Sequence, residues 1–119
     1  MNWKPDRHLP LVPQICEHIC VKIVQENWEA HTRISSVRDT AAAMGVNPNT
    51  VQQAFTALER QGVLYSEQGV GWFVGEDHTA ARETVKRLAQ EKTALFFADM
   101  SRLGWDADAV KQYVKEWNV

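Results

Sequence analysis

The residues best equipped for chemistry form one uncharged polar run. Between Gly45 and Leu58 no side chain carries a charge, while Asn47, Asn49, Thr50, Gln52, Gln53 and Thr56 are rich in hydrogen-bond donors and acceptors. A carboxamide presents a donor and an acceptor side by side, which suits recognition by paired hydrogen bonds and not proton transfer or nucleophilic attack. The groups that could do the latter do not assemble in the sequence. His8, His18, His31 and His78 are not spaced as metal ligands, and no nucleophile motif or phosphate-binding glycine loop occurs. Gly69-Val70-Gly71 reads as a hairpin turn, not a phosphate cradle. Cys16, His18 and Cys20 cannot all point one way on a helix, so they read as packing residues and no metal is expected. The two cysteines would share a helix face with their backbones held unsuitably for a disulfide, which implies a reduced compartment. An enzyme is therefore not expected, and no cofactor is.

Those polar residues must be positioned by a small fold. The chain has 119 residues, enough for one main core or a small domain with a helical appendage. Hydrophobic residues make up 45% and charged residues 24%, so folding throughout is expected. The first ten residues carry Lys4, Asp6, Arg7 and His8 without an apolar run, and no later stretch suffices to span a bilayer. A cytosolic, membrane-free protein is expected. The net charge of −2 argues against binding any polyanion mainly by bulk attraction.

Val12, Ile15, Cys16, Ile19, Cys20, Ile23 and Val24 follow helical spacing and predict a first amphipathic helix from near Pro10. Ser36 with Asp39 three residues on forms a capping box for a short second helix striped by Val37, Ala41 and Met44 and ended by Gly45. Asn47 as N-cap and Pro48 at the first position open a third, with Val51, Ala54, Phe55 and Leu58 buried. Short helix, glycine turn, second helix is the helix-turn-helix pattern. Val63 to Ser66 and Trp72 to Val74 read as strands joined through Gly69-Val70-Gly71, a hairpin wing. Val85, Leu88, Leu95, Phe96, Met100 and Leu103 stripe a long helix ending at Gly104, and Asp106 caps a last one carrying Val110, Tyr113, Val114 and Trp117. The fold class expected is α+β, mainly helical: a winged helix-turn-helix over 1–75, then a two-helix dimerisation tail over 76–119. Two helices can hardly bury so broad a stripe alone, so Leu95, Phe96, Met100, Leu103, Val110, Val114 and Trp117 are assigned to a seam with a second copy. Trp3, Trp28, Trp72, Trp105 and Trp117 each sit beside an apolar stripe or strand and read as core or interface.

Pro10-Leu11 with Gln14-Ile15, Ser36-Val37-Arg38, Gly45-Val46-Asn47-Pro48-Asn49-Thr50-Val51, Leu58, Gly62 and Gly69 to Val74 stand in the order and at the spacing of the GntR family of bacterial regulators. The chain resembles that family over about its first 75 residues. Its short tail is similar to that of the YtrA-type subfamily, in which the tail dimerises. The resemblance implies double-stranded operator DNA as the partner of a homodimer, with Arg38, Asn47, Asn49, Thr50, Gln52, Gln68 and Gly69 as DNA contacts. Amide side chains can bond N6 and N7 of adenine, and the first turn of a recognition helix is what reaches base edges. The resemblance further implies a palindromic site with half-sites about 34 Å or a multiple apart, and repression by occupying a promoter.

Two departures from the family matter. Its wings usually carry arginines around the glycines, whereas this one reads Tyr65-Ser66-Glu67-Gln68-Gly69-Val70-Gly71, so little affinity is expected from it. Ile34-Ser35 replaces the usual Leu-Pro before Ser36, a milder change. With few cations near the DNA, a shallow salt dependence is expected. The competing class is a winged helix that binds protein and not DNA, and for Arg38 the competing role is an ion pair with Asp39 or Glu59. No pocket signature for an effector appears, and so short a tail leaves little volume for one.

Overall fold

The computed structural model describes residues 3–119. Elements follow in the order α1 (Leu11–Gln25), α2 (Val37–Met44), α3 (Pro48–Arg60), β1 (Leu64–Glu67), β2 (Gly71–Val74), α4 (Thr79–Arg102) and α5 (Ala107–Glu116). They fall into two compact units, 1–85 and 86–119.

In the first unit, local chemistry sets where each helix starts. The Gln14 carboxamide ties the entry to α1, donating to the carbonyls of Asp6 and Pro10 at 2.9 Å each. Ser36 Oγ accepts from the Asp39 N–H at 3.0 Å, the cap expected for α2. Gly45 closes α2 in the left-handed region at φ 68°, a conformation that costs other residues strain, and so lets α3 start three residues later. Asn47 Oδ1 then accepts from the Asn49 N–H at 2.7 Å, with Pro48 at the first helical position.

The apolar faces converge on α3, which packs against both α1 and α2. Ile15, Ile19, Cys20 and Ile23 of α1 meet Ala41 and Met44 of α2 and Val51, Ala54, Phe55 and Leu58 of α3 in one buried cluster. Full burial of a side chain such as Phe55 or Ile15 contributes about 1.5–3 kcal/mol, so this cluster orients α3 firmly. Trp72 of the hairpin meets Phe55 edge-on, with ring centroids 5.3 Å apart. Trp3, Trp28 and Trp72 all pack half-buried against the cluster. Cys16 Sγ lies 3.5 Å from the Ala54 carbonyl and Cys20 is buried, and neither is joined in a disulfide.

The hairpin is antiparallel with Leu64 opposite Val74 and Glu67 opposite Gly71. Its strands are shifted from the expected ones. Val63 is withheld from β1 because its N–H returns to the Leu58 carbonyl at 2.9 Å and completes the exit from α3. Gly71 joins β2, which leaves Gln68, Gly69 and Val70 as the turn. An unforeseen third segment lines the other edge of β2. The His31 and Ile34 N–H groups donate to the Val74 and Trp72 carbonyls at 2.8 and 2.9 Å, and Arg33 bridges to Phe73.

The division between the units also differs from the expected boundary at Gly75. It falls within α4, between Val85 and Lys86, because Ala81 is buried in the first core and Ala80 packs against it. The second unit comprises the rest of α4 and α5. Asp106 caps α5 by accepting from the Ala109 N–H at 2.8 Å. Trp105 meets Tyr113 edge-on at 5.0 Å, and Tyr113 lies 5.6 Å from Trp117. An apolar groove of about 440 Å³ opens among Phe96, Met100, Leu103, Tyr113, Val114 and Trp117, more volume than so short a tail was expected to leave. Among the residues expected in the seam, Val110 is already 0% exposed within the single chain. Among the described residues no helix is long and apolar enough to cross a membrane.

Candidate nucleic-acid interface

The buried stripe of α3 dictates what its other side presents. With Val51, Ala54, Phe55 and Leu58 turned into the core, Asn49, Gln52 and Gln53 are exposed and Thr56 partly so, at helical spacings of three and four. Gln52 Nε2 donates to Thr56 Oγ1 at 3.3 Å along that face. Thr50 is half-buried, and its backbone N–H is held by the Asn47 carbonyl at 3.0 Å. Gln53, not among the expected contacts, lies on the same face at a spacing of four from Asn49. Asn47 stands apart, since its side-chain oxygen is occupied as the cap of α3.

Arg38, one residue into α2, is exposed, and its side chain makes no ion pair or hydrogen bond among the described residues. The competing role as partner of Glu59 is not realised: Glu59 accepts instead from Ser66 Oγ at 3.0 Å. Arg38 lines a groove of about 380 Å³ together with Ser36, Pro48 and the wing residues Val70 and Gly71. The fold thus joins the start of α2, the start of α3 and the turn end of the wing. Gln68 and Gly69 lie at the exposed wing turn, outside this groove.

The groove holds a second cation that sequence reasoning missed. Arg33 Nη2 donates to the Val70 carbonyl at 2.6 Å. Nothing in its local sequence announces this, because the contact depends on strand-like pairing between segments far apart in the chain. Arg33 and Arg38 both line this groove, and no acidic residue lines its wall. An uncharged amide face beside a cationic groove can read base edges and hold phosphate at once.

Residues 11–74 match the family model for bacterial regulatory proteins, gntR family. The transcriptional repressor YtrA of Bacillus subtilis is 26% identical over 116 residues, spanning 94% of this chain and 87% of that protein. A GntR family transcriptional regulator from Listeria monocytogenes superposes with a TM-score of 0.77 at 31% identity, covering 96% of this chain and all of that one. The DNA-binding domain of AraR, solved in complex with operator DNA, matches 56% of this chain and 82% of its own at 34% identity and a TM-score of 0.54. The first unit is a winged helix-turn-helix, and the protein is a regulator and not an enzyme. The chain belongs to the GntR family and is a DNA-binding transcription regulator.

Proposed function

We propose that the protein acts in the cytoplasm as a homodimeric repressor, each protomer laying α3 in the major groove of one half of a palindromic operator. The observation that carries this reading is the free face of α3: Asn49 and Gln52 stand exposed on a helix anchored by a continuous core, beside an unpartnered Arg38. Asn49, Thr50 and Gln52 read base edges, Asn47 sets the first turn of α3, and Arg38 grips a phosphate. Gln68 and Gly69 follow the backbone at the wing tip.

Dimerisation is supported by the apolar surface of the second unit, where Leu95, Leu103 and Trp117 are 64%, 71% and 60% exposed. Apolar surface of that kind marks an association site. Phe96, Met100 and Val114 complete the seam. Repression is supported by the name of the similar YtrA.

Selection of bound sequences from a random duplex pool tests this reading, with the wild type beside Asn49→Ala and Arg38→Ala at two salt concentrations. A palindrome enriched by the wild type and lost by both variants is expected. No enrichment at low salt by folded, dimeric protein would replace it with a winged helix that binds protein.

A further inference from the structure

We infer that Arg33 supplies the cation the wing lacks, holding the wing turn by its guanidinium while turning its remaining N–H groups to a backbone phosphate of bound DNA. This rests on the DNA-binding reading above and extends it to a residue outside the family-derived contacts.

Four observations converge on Arg33. First, its backbone is fixed: it bridges to Phe73, and its neighbours His31 and Ile34 bond to Val74 and Trp72 along the open edge of β2. A side chain launched from a paired segment loses less freedom on binding than one on a free loop. Second, the guanidinium engages the wing directly through the Val70 carbonyl, which uses one of its five N–H groups. Third, Gly71 makes room for it. A Cβ at that position would stand 3.1 Å from Arg33 Nε and 3.3 Å from Nη2, tighter than ordinary contact, so a larger residue would make the guanidinium give way by a few tenths of an ångström. Fourth, Arg33 has no carboxylate partner among the described residues and shares its groove with Arg38 and Ser36.

Two guanidinium groups in one groove without a counter-ion, in a chain whose net charge is −2, form a place built for an anion. The planar fork of donors matches the paired oxygens of a phosphate. The groove lies between the start of α3 and the wing. A duplex read by α3 would therefore bring its backbone to it. The wing is poor in arginine in sequence, yet a cation reaches it from the segment that precedes α2.

The test uses the full-length protein and two fluorescent duplexes, one selected from a random pool and one of scrambled sequence. Binding is measured by anisotropy across roughly 50 to 200 mM salt. Arg33→Gln keeps a planar N–H donor of shorter reach and removes the charge, and its fold is checked by circular dichroism and thermal melting. It is expected to bind both duplexes more weakly and to lower the salt slope by about 0.9 per half-site, about 1.8 for a dimer on both, so that its affinity falls about twelvefold less than wild type's over that range. Arg33→Lys, which keeps the charge without the fork, is expected to retain the wild-type slope at reduced affinity. A folded Arg33→Gln protein with the wild-type salt slope overturns the inference even if its affinity drops, since the loss then comes from wing position alone. So does an Arg33→Lys protein whose slope falls as far as that of Arg33→Gln. Failure of the wild type to bind either duplex at low salt removes the DNA reading itself, and this inference with it.

Discussion

The side-chain oxygen of Asn47 accepts the backbone N–H of Asn49 at 2.7 Å, so two asparagines two residues apart do different work. One sets where the recognition helix begins. The other keeps its carboxamide free on the exposed face. Asn47→Ala is expected to destabilise the protein by about 1 kcal/mol through loss of the cap. Asn49→Ala is expected to leave stability within about 0.5 kcal/mol and to weaken binding of the selected duplex by about 1–3 kcal/mol, with preference relaxed at one base pair. Urea denaturation beside anisotropy titration separates the two. Equal stability losses in both variants would mean that the division of labour is wrong.

The tail offers a second contrast, between a buried valine and an exposed leucine. Leu103 is 71% exposed in the single chain, whereas Val110 is 0% exposed. Leu103→Asp is expected to yield folded monomers in sedimentation equilibrium and to reduce operator affinity by about a hundredfold or more, since the second half-site is then no longer engaged intramolecularly. Val110→Ala should destabilise the tail by roughly 2 kcal/mol through lost burial and a residual cavity. A Leu103→Asp protein that stays dimeric would move the interface elsewhere.

Acid should weaken the fold through His18. Its ring stacks on Trp3 with centroids 4.0 Å apart, and burial, then the nearby Lys22 charge, hold its pKa below the ordinary 6.5. A depressed folded pKa favours the neutral imidazole. That stability is present above the unfolded value and lost as pH falls through the folded one. The melting temperature is expected to drop between about pH 7 and pH 5, and to drop less in His18→Phe, which keeps a ring but binds no proton. Parallel declines in both proteins would assign the acid sensitivity to other groups.

At the alkaline end the informative group is Cys16. Burial, with Cys20 and Glu17 adding to it, pushes the thiol from 9.0 to about 11. Because the folded value is raised, the stability it represents is present below pH 9 and lost as pH climbs toward 11. Near pH 8 the native thiolate fraction is roughly a hundredfold below that of an ordinary thiol, so alkylation by iodoacetamide at Cys16, read by mass spectrometry, should be correspondingly slow until urea unfolds the chain. Rapid labelling of the native protein would contradict this environment.

Much of the architecture was legible because it rests on short-range chemistry. Ser36, Asn47 and Asp106 each cap the helix that follows them, as their side chains and the next three residues dictate. The amide face of α3 follows from periodicity too, since placing Val51, Ala54, Phe55 and Leu58 inside leaves Asn49 and Gln52 outside. The strand limits of the hairpin, by contrast, rest on non-local contacts. A glycine-rich hairpin admits neighbouring registers, and it took the Val63 bond to Leu58 and the pairing of Gly71 with Glu67 to choose between them.

The tail stripe shows the same limit. Val110, Val114 and Trp117 share a helix face by spacing, but only packing distinguishes the buried valine from its exposed neighbours. Arg33 is the plainest case. By itself the sequence determined the helices, their caps, the polar face of α3 and the family, because each depends on side chains within a turn or two of one another. Only the tertiary structure decided that Arg33 lies across Gly71 and bonds to Val70, because that contact requires the segment before α2 to pair along the far edge of β2.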